Sequence, residues 1–273
     1  MNKDSLNFLC CPRCHGNLTL NKQEVDVEEI ASGFLRCLEC NKDYKIINGI
    51  PDFLLAEFLK KRDKKWMSEY DSMARSYDII MSYVFPLISL GLMPFERYRW
   101  VKALQVRKGA HVLDISTGTG ANISFIARQI GPSGKLTAMD ISKGMLTYAK
   151  TKMERRGTKN VEFHRANASY LPYKDNVFDA VIHVGGINTF GEKKRALYEM
   201  VRVAKRDARI VVVDEGLAPE RQKTLFGKFQ LKTNTLYFCR PPTKLLPRNS
   251  KNVRVIWKTN FFWPHYIMQL DKE

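Results

Sequence analysis

The run VLDISTGTG at 112–120, answered by Met139 and Asp140 twenty residues further on, constrains this chain more than any other feature. Val112, Leu113 and Ile115 make an apolar strand that empties into a Gly/Thr turn, and a helix is expected to begin near Ala121. That order bares backbone N–H groups at the carboxyl end of a parallel strand, where nucleoside cofactors dock. Asp140 ends the next apolar segment, 135–139, so its carboxylate can accept two hydrogen bonds from a ribose diol. The dinucleotide fingerprint needs a small residue three positions beyond its second glycine, and Ile123 there is too large. The pattern is instead Asp114, Ser116, Gly118 and Gly120 at alternate positions, with an acid just ahead of the turn. The plain structural alternative is a tight strand-to-helix turn that holds no ligand.

Later segments follow in register. Residues 161–165 read as a third strand, followed by Ala166, Asn167 and Ala168. An asparagine at a strand end can hydrogen-bond an adenine edge, and Ala168 leaves room for the ring. Asp175 and Asn176 signal a turn into the near-continuous apolar strand 177–184, which suits the middle of a parallel sheet. A helix over 193–204 and a fifth strand over 208–214 complete the alternation. Strands alternating with helices of this length predict an α/β fold with a Rossmann-like, doubly wound sheet.

On these residues, 70–215 resembles the ubiquinone/menaquinone-biosynthesis C-methyltransferases (UbiE/MenG type) of the class I superfamily that uses S-adenosyl-L-methionine. The matching pieces are Tyr77 and Asp78, VLD at 112–114, GTG at 118–120, DIS at 140–142, GML at 144–146, ANA at 166–168 and LPYKDNVFD at 171–179. The resemblance implies that Tyr77, Asp114, Ser116, Gly118, Thr119, Gly120, Asp140, Ile141, Met145, Asn167 and Ala168 bind that cofactor. Departures fall on the acceptor side: GGINTF at 185–190 replaces the family's FGLRN, and KRDA at 205–208 replaces its KPGG. The resemblance therefore bears on methyl transfer more than on the identity of the acceptor. Positions past strand four, His183, Asn188 and Thr189, should face the acceptor, with His183 as the candidate general base and a hydrogen-bonded structural histidine as the alternative. The Asn/Asp-Pro-Pro-Tyr/Phe motif of amino-group methylation is missing there. No catalytic residue is assigned.

Four of the six cysteines form two knuckles, Cys11-x2-Cys14 and Cys37-x2-Cys40. Such spacing places four thiolates around one structural Zn²⁺. Disulfides are the alternative, and a chain without a secretory signal is expected in the reducing cytoplasm, where they are rare. Cys10 could replace Cys11 as a ligand, although Pro12 favours Cys11. Cys239 reads as an ordinary buried thiol. Residues 6–55 resemble the short zinc-ribbon proteins that activate tRNA, rRNA and protein methyltransferases. The expected organisation is a zinc-ribbon domain at 1–57 and a class I methyltransferase domain at 58–273, with its cofactor core at about 105–215 and a cap and hairpin at about 216–273. The ribbon could clamp nucleic acid, cover the site or only brace the fold.

At 273 residues and 44% hydrophobic content, the chain can bury one α/β core and a small satellite. The apolar stretch 79–94 is broken by Pro86, Gly91 and Pro94, too short to span a bilayer, and reads as a lid over the acceptor pocket or a core helix pair. Lys and Arg at 60–65 read as a linker. The net charge is +17, and 221–270 holds ten Lys or Arg residues and no acid. Phe226, Phe229, Tyr237, Phe238, Trp257, Phe261, Phe262, Trp263 and Tyr266 are interleaved with them. That composition suits RNA or an anionic membrane surface, and equally a final β-hairpin (253–257 with 265–270) whose rings are core. The excursion 216–252 is expected to shape the acceptor pocket. Three functions follow: methyl transfer to a small or lipid-like acceptor of quinone-biosynthesis type, methylation of rRNA or tRNA, or a non-catalytic cofactor-binding module.

Overall fold

Two sheets organise the chain, and the computed structural model describes residues 1–25, 29–259 and 263–273. The first sheet is antiparallel and sequential: β1 (Leu18–Val25), β2 (Ile30–Cys37), β3 (Asp43–Ile47) and β4 (Ile50–Pro51). Asn48 and Gly49 take φ of 52° and 71°, the left-handed pair that a two-residue hairpin between β3 and β4 requires. Ile30, Leu35 and Cys37 on β2 and Tyr44 and Ile46 on β3 face inward.

The second sheet comprises β5 (His111–Ile115), β6 (Lys135–Asp140), β7 (Val161–Arg165), β8 (Phe178–Val184), β9 (Ala204–Glu215), β10 (Ser250–Lys258) and β11 (His265–Lys272). Their order is β10-β11-β9-β8-β5-β6-β7, with β5 to β9 parallel and β11 antiparallel to both β9 and β10. Around the sheets lie α1 (Lys61–Ile79), α2 (Phe85–Ile88), α3 (Leu92–Lys102), α4 (Ile123–Ile130), α5 (Lys143–Arg155), α6 (Lys193–Val203), α7 (Pro219–Gln222) and α8 (Leu225–Thr233). Alternate residues along the central strands face opposite layers. Val112, Ala138, Ile182 and Val211 pack with α3, α4 and α5, while Leu113, Met139, Val181 and Val212 pack with α6 and the small sheet. Each fully buried Val, Leu, Ile or Met side chain among them contributes roughly 1.5–3 kcal/mol.

The small sheet shares a core with the large one. Leu9, Leu35, Tyr44 and Phe53 join Leu171, Tyr173 and Phe178 in one cluster. Backbone bonds stitch the seam: Cys10 N–H to Pro172 O, Lys174 N–H to Phe8 O, and Phe53 N–H to Arg165 O. Residue 52 pairs in parallel with Arg165, so the chain after β4 covers the outer edge of β7. The expected fold class is present. The 60–65 run is the entry to α1 rather than a free linker, because Asp63 accepts the backbone N–H groups of Lys60 and Gly191. Asp207 takes φ 62° where the family pattern has glycine, which explains how the departure at 205–208 is accommodated.

Candidate functional site

A cavity of about 340 Å³ opens at the carboxyl ends of β5 to β9, where ligands of open α/β sheets bind. Each strand end delivers one part of it. Ser116 and Gly118 follow β5, both in the left-handed region at φ 57° and 55°. A Cβ built on Gly118 would meet nothing within 4 Å, so the space above this turn is open. Asp140 closes β6 with one backbone N–H on each carboxylate oxygen, from Gly118 at 2.8 Å and Ser142 at 2.9 Å. A carboxylate oxygen accepts about two bonds, so each retains a lone pair for a sugar hydroxyl. Burial raises the Asp140 pKa, and the backbone N–H groups of Ser142, Gly118 and Ile141 oppose that rise.

After β7, Asn167 accepts the Ser169 N–H at 2.9 Å through its carbonyl oxygen. Its amide nitrogen is buried and has no partner among the described residues, and Asn167 and Ala168 line the cavity beside Ile141 and Met145. A buried amide donor without a partner is costly. An adenine ring would supply its acceptor. On this donor set the pocket fits an adenosine-bearing cofactor.

The opposite wall comes from α1. Asp63, Trp66, Tyr70 and Tyr77 project from one helical face into the cavity. Trp66 stacks on Tyr70 at 5.9 Å, and Tyr70 meets Tyr77 edge-on at 5.8 Å. Two clips hold α1 on α5. Asp71 accepts the Ser142 hydroxyl at 2.6 Å and the Gly144 N–H at 2.9 Å. Asp78, buried, accepts Lys152 Nζ at 2.6 Å and the Tyr148 hydroxyl at 3.1 Å; burial pushes its pKa up, and Lys152, Thr119 and Ser82 together bring it below the ordinary value.

Of the expected cofactor residues, Tyr77, Ser116, Gly118, Asp140, Ile141, Met145, Asn167 and Ala168 line the cavity, as does Thr189 on the acceptor side. Asp114, Thr119 and Gly120 support it from behind. Asp114 accepts the Thr117 hydroxyl at 2.7 Å and is pushed up to about 7 by burial. Thr119 turns toward Asp78, and Gly120 exists for its φ of 77° and for Ile123, 2.9 Å from where a Cβ would stand. His183 and Asn188 are not brought to the cavity. His183 alternates to the other face of β8, fixed 3.1 Å from Ile115 O and packed on Phe190, and burial lowers it to about 4. Asn188 spends its N–H on Asp214, its amide on Glu215 O and its carbonyl on the Tyr266 hydroxyl.

Sequence reasoning missed Trp66, Tyr70, Asp214, Glu215, Leu236 and Trp263, which also line the cavity. The helical spacing of 63, 66, 70 and 77 was a usable signal. Asp214 is pushed up to about 7 by burial, and burial also raises Glu215 while the Trp263 indole N–H, 3.1 Å away, opposes it. Met81, Phe85 and Met93 form the apolar end. The excursion 216–252 contributes Leu236 alone. Tyr237 and Tyr266 are buried and Trp257 packs against the core, so these rings of the basic third serve the fold, while Phe226, Phe229 and Phe238 are exposed. Phe261 and Phe262 lie outside the described residues.

In the ribbon, the Sγ atoms of Cys11, Cys14, Cys37 and Cys40 all lie within 4.8 Å of one another. Cys14–Cys37 is 3.5 Å and Cys11–Cys40 is 3.7 Å. Four sulfurs at about 2.3 Å from a tetrahedral zinc would be spaced about 3.8 Å apart, so the donor set fits that ion. The Cys40 N–H donates to Cys37 Sγ, and the Tyr44 hydroxyl lies 2.9 Å from Cys11 Sγ. Cys10 is outside the cluster, in the seam between the sheets, and Cys239 is half-buried.

The strand order and a cavity at the sheet's carboxyl edge define a class I methyltransferase fold. Solved structures share it: a SAM dependent methyltransferase from Aquifex aeolicus (TM-score 0.52, 19% identity, 74% of this chain and 98% of that one). The YcgJ protein from Bacillus subtilis is similar at TM-score 0.51 and 16% identity, over 66% and 99%. Residues 59–226 match the ubiE/COQ5 methyltransferase family, and the chain belongs to that family. Residues 2–49 match the Trm112p-like proteins. The chain is 36% identical over 146 residues to the ubiquinone/menaquinone biosynthesis C-methyltransferase UbiE of Hahella chejuensis, covering 53% of this chain and 57% of that protein. To UbiE of Francisella tularensis subsp. novicida it is 32% identical over 156 residues, covering 57% and 61%. The chain thus spans about three fifths of the length of these curated relatives.

Proposed function

We propose that the chain transfers a methyl group from S-adenosyl-L-methionine to a quinone-like, lipid-like ring, in a cytoplasmic setting, and that one Zn²⁺ braces its ribbon. The observation that carries this reading is one cavity with two characters. A ribose-accepting carboxylate (Asp140) and a buried amide donor with no partner among the described residues (Asn167) stand at one end, and Met81, Phe85 and Met93 at the other. The donor supplies an activated methyl on sulfur, so the protein's task is alignment and exclusion of water. Asp140 binds the sugar, Asn167 orients the base, and the Trp66–Tyr70–Tyr77 stack shields the reacting region. Glu215, raised by burial and steadied by Trp263, is our assignment for the group that holds the acceptor's hydroxyl proton. Of the described rings in the basic third, Tyr237 and Tyr266 are buried and so are not available to stack on bases, which leaves Phe226, Phe229 and Phe238 as the exposed ones.

The test is transfer of labelled methyl by the full-length protein to a demethylated quinol. Label in the organic extract is expected; label confined to RNA or protein, or none, would overturn the reading. Asp140→Ala should weaken binding of the demethylated donor at least roughly a hundredfold in calorimetry, because bonds to a charged group contribute about 1.5–3 kcal/mol each. A modest fall in melting temperature accompanies it, since Asp140 also holds two backbone N–H groups.

A further inference from the structure

Residues 79–95 contain no charged side chain. They fold into a π-helical turn (Ile80–Val84), α2 and the start of α3, and the two helical arms meet at 110°. One side of this elbow faces the protein through Met81, Phe85 and Met93, which wall the cavity. The other side is bare. Tyr83 is 68% exposed, Leu87 78%, Leu90 88% and Phe95 54%. Leu90 sits at the corner with φ 49°, a conformation disfavoured for a leucine, and Gly91 follows at φ 77°. The chain thus holds a strained residue that presents an apolar side chain to the outside, away from any core. Scattered exposed apolar residues are ordinary, but a continuous group of this kind marks an interaction surface.

We propose that this elbow is an interfacial docking surface for an anionic lipid bilayer. No single helix among the described residues is long and apolar enough to cross a membrane; the two arms of the elbow reach that length and apolarity only together, and their 110° bend suits a segment lying within one interface. The charge pattern selects the occupant. Arg99, ion-paired at 3.6 Å with Glu96, and Lys102 stand exposed along α3 just beyond the apolar corner, beside exposed Tyr98, and the chain carries +17 overall. Anionic headgroups complement those cations, and long basic side chains can reach them while the leucines enter the acyl boundary. A second copy of the same chain would instead bring like charges together. Because the inner side of the elbow walls the cavity, the docked protein would hold its apolar end at the lipid surface. Lipid binding is read without turnover, so this inference can fail or stand independently of the methyl-transfer reading.

The test is flotation of the full-length, zinc-loaded protein with vesicles of equimolar phosphatidylethanolamine and phosphatidylglycerol, alongside vesicles of phosphatidylcholine alone. The wild type should float with the anionic vesicles and less with the neutral ones. Leu87→Ser combined with Leu90→Ser should reduce the bound fraction about tenfold or more. Both side chains are outside the core, so melting temperature and calorimetric binding of the demethylated donor should be unchanged. The inference is overturned if the wild type stays in the dense fraction or if the double variant floats equally well. It is also overturned if sedimentation velocity without lipid shows a dimer that the double variant dissociates, which would assign the elbow to a second copy.

Discussion

A buried carboxylate at the end of β5 illustrates how a residue legible in sequence can stand behind the cavity wall. Asp114 falls on the motif, but its side chain lies beneath the turn, bonded to Thr117, with its second oxygen buried and unpartnered among the described residues. It shapes the loop that carries Gly118 rather than touching the cavity. Burial pushes it up to about 7, above the roughly 3.9 of an unfolded aspartate. Between those values the folded chain keeps a proton that the unfolded chain releases, so Asp114 makes stability fall as pH rises from about 4 to about 7. Asp114→Asn keeps the shape and removes the titration. Urea unfolding across this window should show the wild type losing stability relative to the variant, by on the order of a few kcal/mol. Parallel curves would mean that Asp114 is already charged in the fold.

At the scale of elements, α1 meets α5 closely enough that Gly144 has no room for a side chain. A Cβ there would stand 2.4 Å from Asp71 O, a backbone atom that cannot yield without shifting α1. Gly144→Val should therefore cost roughly 1–3 kcal/mol in chemical denaturation. It should also weaken donor binding, because the same helix carries Tyr70 and Tyr77 into the cavity. An unchanged calorimetric affinity would show that α1 and the cavity are uncoupled. The strands were readable because their apolar runs and turn residues are local, and β7, β8 and the terminal hairpin fall within a few residues of their expected places. The α1 wall was not. Its apolar residues are spaced among charges, and its inward face is set by Asp71 and Asp78 reaching α5 across some seventy residues of sequence. His183 failed for a period-two reason: Val184, its neighbour, takes the cavity-facing position and leaves the histidine on the opposite face.

For the molecule as a whole, the question is whether the ribbon folds as an accessory or as part of the enzyme's core. Its own apolar interior is small, and a unit of that size ordinarily relies on its metal. Yet Leu9, Tyr44 and Phe53 join the same cluster as Tyr173 and Phe178, and Arg165 is paired both to Asp52 at 2.8 Å and to Ile141 O beside the cavity. Phe58 stacks on Tyr170 at 4.1 Å, with the Arg195 guanidinium 3.9 Å over the same ring. Loss of metal should then propagate along β7 to the loop that carries Asn167. With zinc bound, calorimetric melting should give one transition. Chelation, or Cys37→Ser, should move that single transition down by several degrees, since about 1 kcal/mol shifts a domain of this size by roughly 2–4 °C. Donor affinity should fall with it. Two transitions, only the lower of which responds to chelator, would instead make the ribbon an independent unit and confine the role of its metal to the first fifty residues.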